Sequence, residues 1–455
     1  MSQSIFPLIK SEMKGNLSLS IPLIASQVIY ACSGFIGTAL VAKLGEDALA
    51  ASVLVSTIWM TLSVLFFGIL NSVSVLVSHQ FGAKNYSAIS EIMGQSYLLG
   101  IFMMIIMILL LQTMPLFLHL TTQPHHVLKL AYQYMFSLLW TVPGLIALII
   151  TEQFLAGINR GKLVLRISIL VVPVEITLIY LLIFGKLGLP AFGVAGIGYG
   201  FATTYTITAI FLLTFLFTSK HYRQFKITHG ITQVKWHYLK ELISIGLPMG
   251  FMHVIEVSTF TIVTFWISRF GTTLLAAHQI ILQYLGLIIT MVFGMSQAVT
   301  VRVGNAIGRQ DLSGISYAAF IGMGLNSIFI ILIALSFFLI PEFFLSIDIN
   351  IANPANKTLV HDASMLLEIA GILLIFDNLR IIGFGALRGL KDTRFPMYAA
   401  FVGFWIVGLG CAYLFSFVLP FQGEGIWWGL TIGIATSAAL VLIRLYQKLR
   451  SINQG

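Results

Sequence analysis

Two carboxylates stand where an apolar sequence makes them expensive. Glu256 lies in GFMHVIEVSTF (250–260) and Asp377 in ILLIFDNLR (372–380), both deep inside apolar runs. A carboxylate at the centre of a membrane helix costs roughly 2.5–3.5 kcal/mol on insertion scales, so such groups usually face water-filled cavities and mark ion pathways or proton relays. The plainer alternative is a structural hydrogen bond or ion pair between helices. His253 precedes Glu256 by three residues on the same helical face, and Arg380 follows Asp377 by three, close enough to pair. That pair would hold Asp377 charged, whereas a Glu256 among apolar groups would take up a proton near neutrality. His253 reads as a polar neighbour or cavity-lining residue rather than a metal ligand, since no second His or Cys stands at ligand spacing. Of the other acids in spans, Glu152 sits at an edge and Glu368 near an outer end. Glu175 follows Pro173 in VVPVEIT, where a satisfied carboxylate in a loosened turn is as good a reading as function. No phosphate loop, H-E-x-x-H or G-x-S-x-G occurs. The chain has no visible engine for ATP, which leaves an ion gradient acting on buried carboxylates.

The elements that must carry these residues are membrane helices. Of 455 residues, 58% are hydrophobic and 9% charged, with mean hydropathy +0.97. Soluble domains carry about 25% charged residues, so this is an integral membrane protein. Cys32 and Cys411 both sit in apolar runs and offer neither a disulfide framework nor a zinc site. Twelve runs reach spanning length: 17–42, 49–77, 94–115, 128–150, 164–184, 192–218, 240–268, 274–300, 316–346, 363–386, 397–419 and 425–446. The one obvious linker is 219–239, at mid-chain, which divides an N-lobe (1–218) from a C-lobe (240–455). Alternate connections and span ends carry 19 Lys and Arg on one side against 5 on the other, with Arg380 alone well inside a span. The positive-inside bias therefore puts both termini in the cytoplasm. The net charge of +9 is thus a topology signal and an anionic-lipid contact rather than a nucleic-acid surface.

The chain also repeats itself. Shifted by 226 residues, 22–82 aligns without a gap on 248–308 with 15 identities, among them Pro22 with Pro248, Gly68 with Gly294 and Gly82 with Gly308. Composition alone explains shared apolar residues, but not Gly and Pro recurring at one fixed offset. Six spans per half is an even number, so both halves run the same way, related by an axis along the membrane normal. Pro22 and Pro248 fall in the first turns of spans one and seven, where they can bend helices that move. Scattered Phe and Met would suit a cavity that accepts varied apolar ligands.

With GALRGLKDTRFPM (385–397), IGLPMGFMHVIEVSTF (245–260) and LLAAHQI (274–280), and SIPLIASQ (20–27), KLGEDALAA (43–51) and VSHQFGAKN (77–85) in the first half, the sequence resembles the multidrug and toxic compound extrusion (MATE) family, in its NorM-like branch, over essentially its whole length. The resemblance implies an all-α polytopic membrane protein, twelve transmembrane helices in two pseudo-symmetric six-helix lobes forming a V-shaped central cavity. It further implies export of cationic and amphipathic drugs in exchange for Na+ or H+, with the coupling cation at Glu256 and Asp377. Supporting cavity candidates are His253, Gln279, Gln283, Tyr284, Asn378, Arg380 and Tyr30. One departure matters: FIGTALVAKLG (35–45) places Gly37 where many prokaryotic members have an Asp, and Leu373 stands where a Tyr often precedes the span-ten Asp. Coupling is then expected on the C-lobe side alone, with the choice of ion open.

The expectation is a secondary antiporter of the inner membrane, not an enzyme, working by alternating access as a monomer, without a cofactor or nucleic-acid partner. A lipid-linked oligosaccharide flippase is the nearest rival. Its pyrophosphate-binding cavity should be strongly cationic, yet Arg380 is the only Lys or Arg well inside a span. An intramembrane enzyme built on Glu256, His253 and Asp377 lacks any supporting motif.

Overall fold

The computed structural model describes residues 5–118, 124–230 and 234–454, and among these the backbone is helical with no strand. Residues 231–233 of the expected linker lie outside the described residues. Among the described residues eleven helices are long and apolar enough to cross a membrane, and a bent pair, taken as one span, makes a twelfth. In chain order they are α1 (Glu12–Ala42), α2 (Glu46–Gly82), α3 (Tyr86–Leu116), α4 (His125–Leu139 with Thr141–Gly157), α5 (Gly161–Phe184) and α6 (Ala195–Thr218). The second half supplies α7 (Trp236–Phe270), α8 (Thr272–Gly308), α9 (Leu312–Leu339), α10 (Pro354–Gly389), α11 (Arg394–Val418) and α12 (Gln422–Ile452). Each overlaps one of the expected runs, although 316–346 runs past the end of α9 at Leu339 into the separate short helix Pro341–Leu345. The two pieces of α4 meet at 46°. Pro143 is the third residue of the second piece, where its missing N–H falls among the donors a helix start leaves unpaired anyway.

The repeat is written into the turns. Gly45 and Gly271, 226 apart, share an extended positive-φ conformation (φ 107° and 112°) that few L residues adopt. Lys84 and Gln310, at the same offset, are both left-handed (φ 56° and 58°). Each ends a helix in the same way, with Asn85 N bonding to Gln80 O and Asp311 N to Ala306 O, the six-to-one bond that satisfies orphan carbonyls. The next helix is capped in both copies by the side chain at the same position, Asn85 accepting from Ala88 N and Asp311 from Gly314 N.

The chain forms two compact units, one of residues 25–250 and one of residues 1–24 with 251–455. The division therefore falls inside α1 and α7, not in the mid-chain linker that the lobes 1–218 and 240–455 assumed. Both cuts lie two residues past a proline, Pro22 and Pro248, and are themselves 226 apart. Each proline removes a helical hydrogen bond, so the helix on either side is free to pack with different neighbours. Packing holds the starts in place. Within the 25–250 unit, Gly246 and Gly250 are close enough to the Ile69 and Leu65 carbonyls of α2 that a Cβ would meet them at 2.3 and 2.7 Å. Within the other, a Cβ on Gly294 would lie 2.9 Å from Ile24. There the Glu12 carboxylate also pairs with Arg302 of α8.

Candidate functional site

In the unit containing 251–455, α7 and α10 bring Glu256, Asp377 and Arg380 together. Arg380 donates from Nε to Asp377 Oδ1 at 2.8 Å, and its Nη2 lies 2.7 Å from the same oxygen. Its Nη1 donates to Glu256 Oε1. One guanidinium is therefore shared between carboxylates from two spans, Arg380 of α10 reaching Glu256 of α7 across 124 residues of chain. Arg suits this place because its planar fork presents several donors to oxygen at fixed angles. His253 Nδ1 stands 3.5 Å from Glu256 Oε2. His253, Asp377 and Arg380 are all buried, and Glu256 is nearly so, with its side chain 12% exposed. The ring of Phe404 lies across the guanidinium, its centroid 4.9 Å from Arg380 Cζ.

This arrangement changes the reading of Glu256. Its surroundings are not purely apolar, because the same arginine that pairs with Asp377 also reaches it. Two carboxylates and one guanidinium leave one formal negative charge. Removing one partner of a buried pair costs about 3–5 kcal/mol, because it strands a charge away from water. The cluster is therefore held tightly as long as its charge count is unchanged. A coupling Na+ would need several oxygen ligands, but the position between the carboxylates is taken by the guanidinium. Among the described residues no three His, Cys, Asp or Glu converge as a metal site.

The other expected residues fall elsewhere. Asn378, next to Asp377, is drawn to α9, accepting from Asn326 Nδ2 and donating to Ser327 Oγ at 3.0 Å. Tyr284 bonds to Asp348 and to the Phe344 carbonyl, both in the segment after α9. Gln279 and Gln283 are exposed on α8. Tyr30 belongs to the other unit, where its hydroxyl donates to Glu152 Oε1 at 2.8 Å.

That contact belongs to a second cluster, which sequence reasoning missed. Ser33, one turn from Tyr30 on α1, donates to Glu175 Oε1, and Tyr205 of α6 also bonds to Glu175. Glu175 is 1% exposed and its second oxygen, Oε2, has no partner. Neither Glu152 nor Glu175 has a Lys, Arg or His within ion-pair distance among the described residues. The hydrogen bonds recorded to them come from the hydroxyls of Tyr30, Ser33 and Tyr205. The available signal was two acids in apolar spans with no basic residue a helical turn away, against Asp377, which has one.

Twelve apolar helices in two matched halves, with a cation buried between carboxylates of separate spans, define a polytopic membrane protein of the transporter class. The MatE family model matches residues 22–181 and 248–414. The chain belongs to that family. It is 31% identical to the multidrug resistance protein NorM of Burkholderia vietnamiensis, over 95% of this chain and 94% of the relative. It is 26% identical to the multidrug resistance protein MdtK of Photorhabdus laumondii, over 95% of each chain. Among solved structures it shares the fold of a MATE protein in its bent conformation (TM-score 0.89, 17% identity, covering 100% of this chain and 99% of that one).

Proposed function

We propose that the chain exports cationic and amphipathic organic compounds across the inner membrane in exchange for protons, by alternating access, with both termini in the cytoplasm. The relatives' roles in multidrug resistance support the substrate class. The observation that carries the coupling is the single guanidinium shared by Glu256 and Asp377. A proton on Glu256 cancels its claim on Nη1, and Arg380 with Asp377 is then a closed, neutral pair. Deprotonation restores one net negative charge, a counter-charge for a cationic compound. Coupling needs the two states to differ in affinity for substrate, and a one-charge change supplies that difference. Na+ would have to compete with a guanidinium already in place. The test is the purified protein in liposomes with ethidium as the transported dye. A pH gradient alone should drive its accumulation and a Na+ gradient alone should not. Response to neither gradient sinks the antiport reading, and response to Na+ alone sinks the choice of ion.

A second reading rests on the other unit, where Glu152 and Glu175 have no basic partner. A buried carboxylate without a cation must carry a proton or bind one. This reading predicts that ethidium still responds to the pH gradient in Glu256→Gln and that the response is lost in Glu175→Gln. The opposite pattern excludes it.

A further inference from the structure

Span α11 does not keep an α-helical register. Residues Phe401–Gly408 and Leu414–Val418 wind as π-helix, an uncommon form that concentrates at functional sites. The local cause lies in three glycines. A Cβ on Gly433 of α12 would lie 2.3 Å from the Gly403 carbonyl and 2.5 Å from Gly408 Cα, so the two backbones are in direct contact. Gly403 and Gly408 are five residues apart, the hydrogen-bond spacing of a π turn. The widened turn thus grips α12 by both glycines, and Phe404 and Trp405 between them reach α10 and α7. Phe404, 1% exposed, lies over Arg380. Trp405 donates its indole N–H to Ser258 Oγ at 3.2 Å, on α7 two residues beyond Glu256.

The carboxylates engage Arg380 only through its N–H edges, at Nε, Nη1 and Nη2. Those bonds leave its face free, and the plane can tilt or slide toward either acid. An aromatic ring supplies the missing constraint, because its negative face attracts a cation and a flat guanidinium stacks on it. We propose that Phe404 is a positioning residue, set by the π turn, that keeps the Arg380 guanidinium shared between Glu256 and Asp377. It acts through Arg380 and touches neither proton nor substrate. For its transport readout the proposal rests on the antiport reading above; its contact with Arg380 does not. The bland alternative is a phenylalanine that merely fills space, and it makes different predictions.

The test compares Phe404→Leu with Phe404→Trp in the full-length protein. In liposomes Phe404→Leu should lower pH-gradient-driven ethidium accumulation about fivefold, the scale of a partly desolvated cation–π contact. Exchange of ethidium across the same liposomes without any ion gradient should stay within about twofold, since Phe404→Leu leaves the charge count that a cationic substrate meets unchanged. Phe404→Trp, which keeps an aromatic face, should restore accumulation. A space-filling role lowers both readouts together and is not rescued by the larger Trp; that result overturns the proposal. Thermal midpoints in detergent give a second arm that needs no transport. Phe404→Leu and Arg380→Gln should be non-additive, as for residues in contact. Additive midpoints overturn the proposal even if the antiport reading holds, whereas wild-type protein that ignores both gradients fails that reading and leaves the midpoint cycle to decide this one.

Discussion

Glu256→Gln is expected to abolish proton-coupled accumulation while leaving the protein folded and inserted. A pH difference of one unit stores about 1.4 kcal/mol per proton, enough to sustain about a tenfold substrate gradient if one proton is exchanged per molecule. In the variant that ratio should fall to one, because the amide cannot take up or release the proton. The fold should survive for a local reason. The Gln side-chain oxygen can still accept from Arg380 Nη1, and Arg380 keeps Asp377 through Nε and Nη2. No charge is stranded, so the loss of stability should be about 1–3 kcal/mol, the value of one charge-assisted hydrogen bond. Dye accumulation and thermal midpoint, measured on the same preparation, separate the two effects. Full accumulation in Glu256→Gln would remove Glu256 from the coupling, and the same measurement on Glu175→Gln would then show whether the other unit carries it.

How much of this was legible depends on whether the relevant signal is local in sequence. Spans are local: a run of apolar residues long enough to cross a bilayer is visible wherever it occurs, and all twelve were. The repeat was legible because its marks, such as Pro22 with Pro248 and Gly82 with Gly308, are single residues at one offset; the backbone adds Gly45 and Gly271, whose positive φ demands glycine. The bend in α4 was not read, although Pro143 stood in the sequence. A proline either starts a helix or kinks one, and periodicity alone does not distinguish the two. The Phe401–Gly408 π turn of α11 packs on Gly433 of another span, which no window along α11 contains. The division of the units past Pro22 and Pro248 had the same cause. The prolines were visible, but which neighbour each helix start would choose was not.

The site shows the same boundary. Arg380 beside Asp377 is an i,i+3 pair and could be read directly. Its second bond, to Glu256, joins residues 124 apart. That bond turned an expected protonatable acid among apolar groups into one arm of a shared ion pair. Tyr30 with Glu152 and Ser33 with Glu175 are separated by 122 and 142 residues. Gly37 in place of an acid suggested an N-lobe without a carboxylate site, yet acids come into that unit from α4 and α5, Glu152 half-buried and Glu175 buried. Local absence of one acid says nothing about acids delivered by other helices.

Arg380→Gln should have the opposite character from Glu256→Gln: a large loss of stability and a change of ion. Removing the guanidinium leaves two buried carboxylates without a cation, and stranding a buried charge costs about 3–5 kcal/mol. Two carboxylates that close cannot both stay ionised unless something positive sits between them. A small cation can fill the vacated place, coordinated by carboxylate oxygens and water. The variant should therefore be destabilised in potassium buffer and partly restored by Na+. The thermal midpoint should rise with Na+ concentration in the way a ligand stabilises the state it binds, by about 2.7 kcal/mol at a hundredfold excess over its Kd. Wild-type protein, with Arg380 in place, should show no such rise. Ethidium accumulation should follow the same division, with wild type driven by the pH gradient and Arg380→Gln gaining a response to Na+. Equal midpoints in the two salts for the variant would mean that the guanidinium does not occupy a cation position. The carboxylates would then be held by packing rather than by charge.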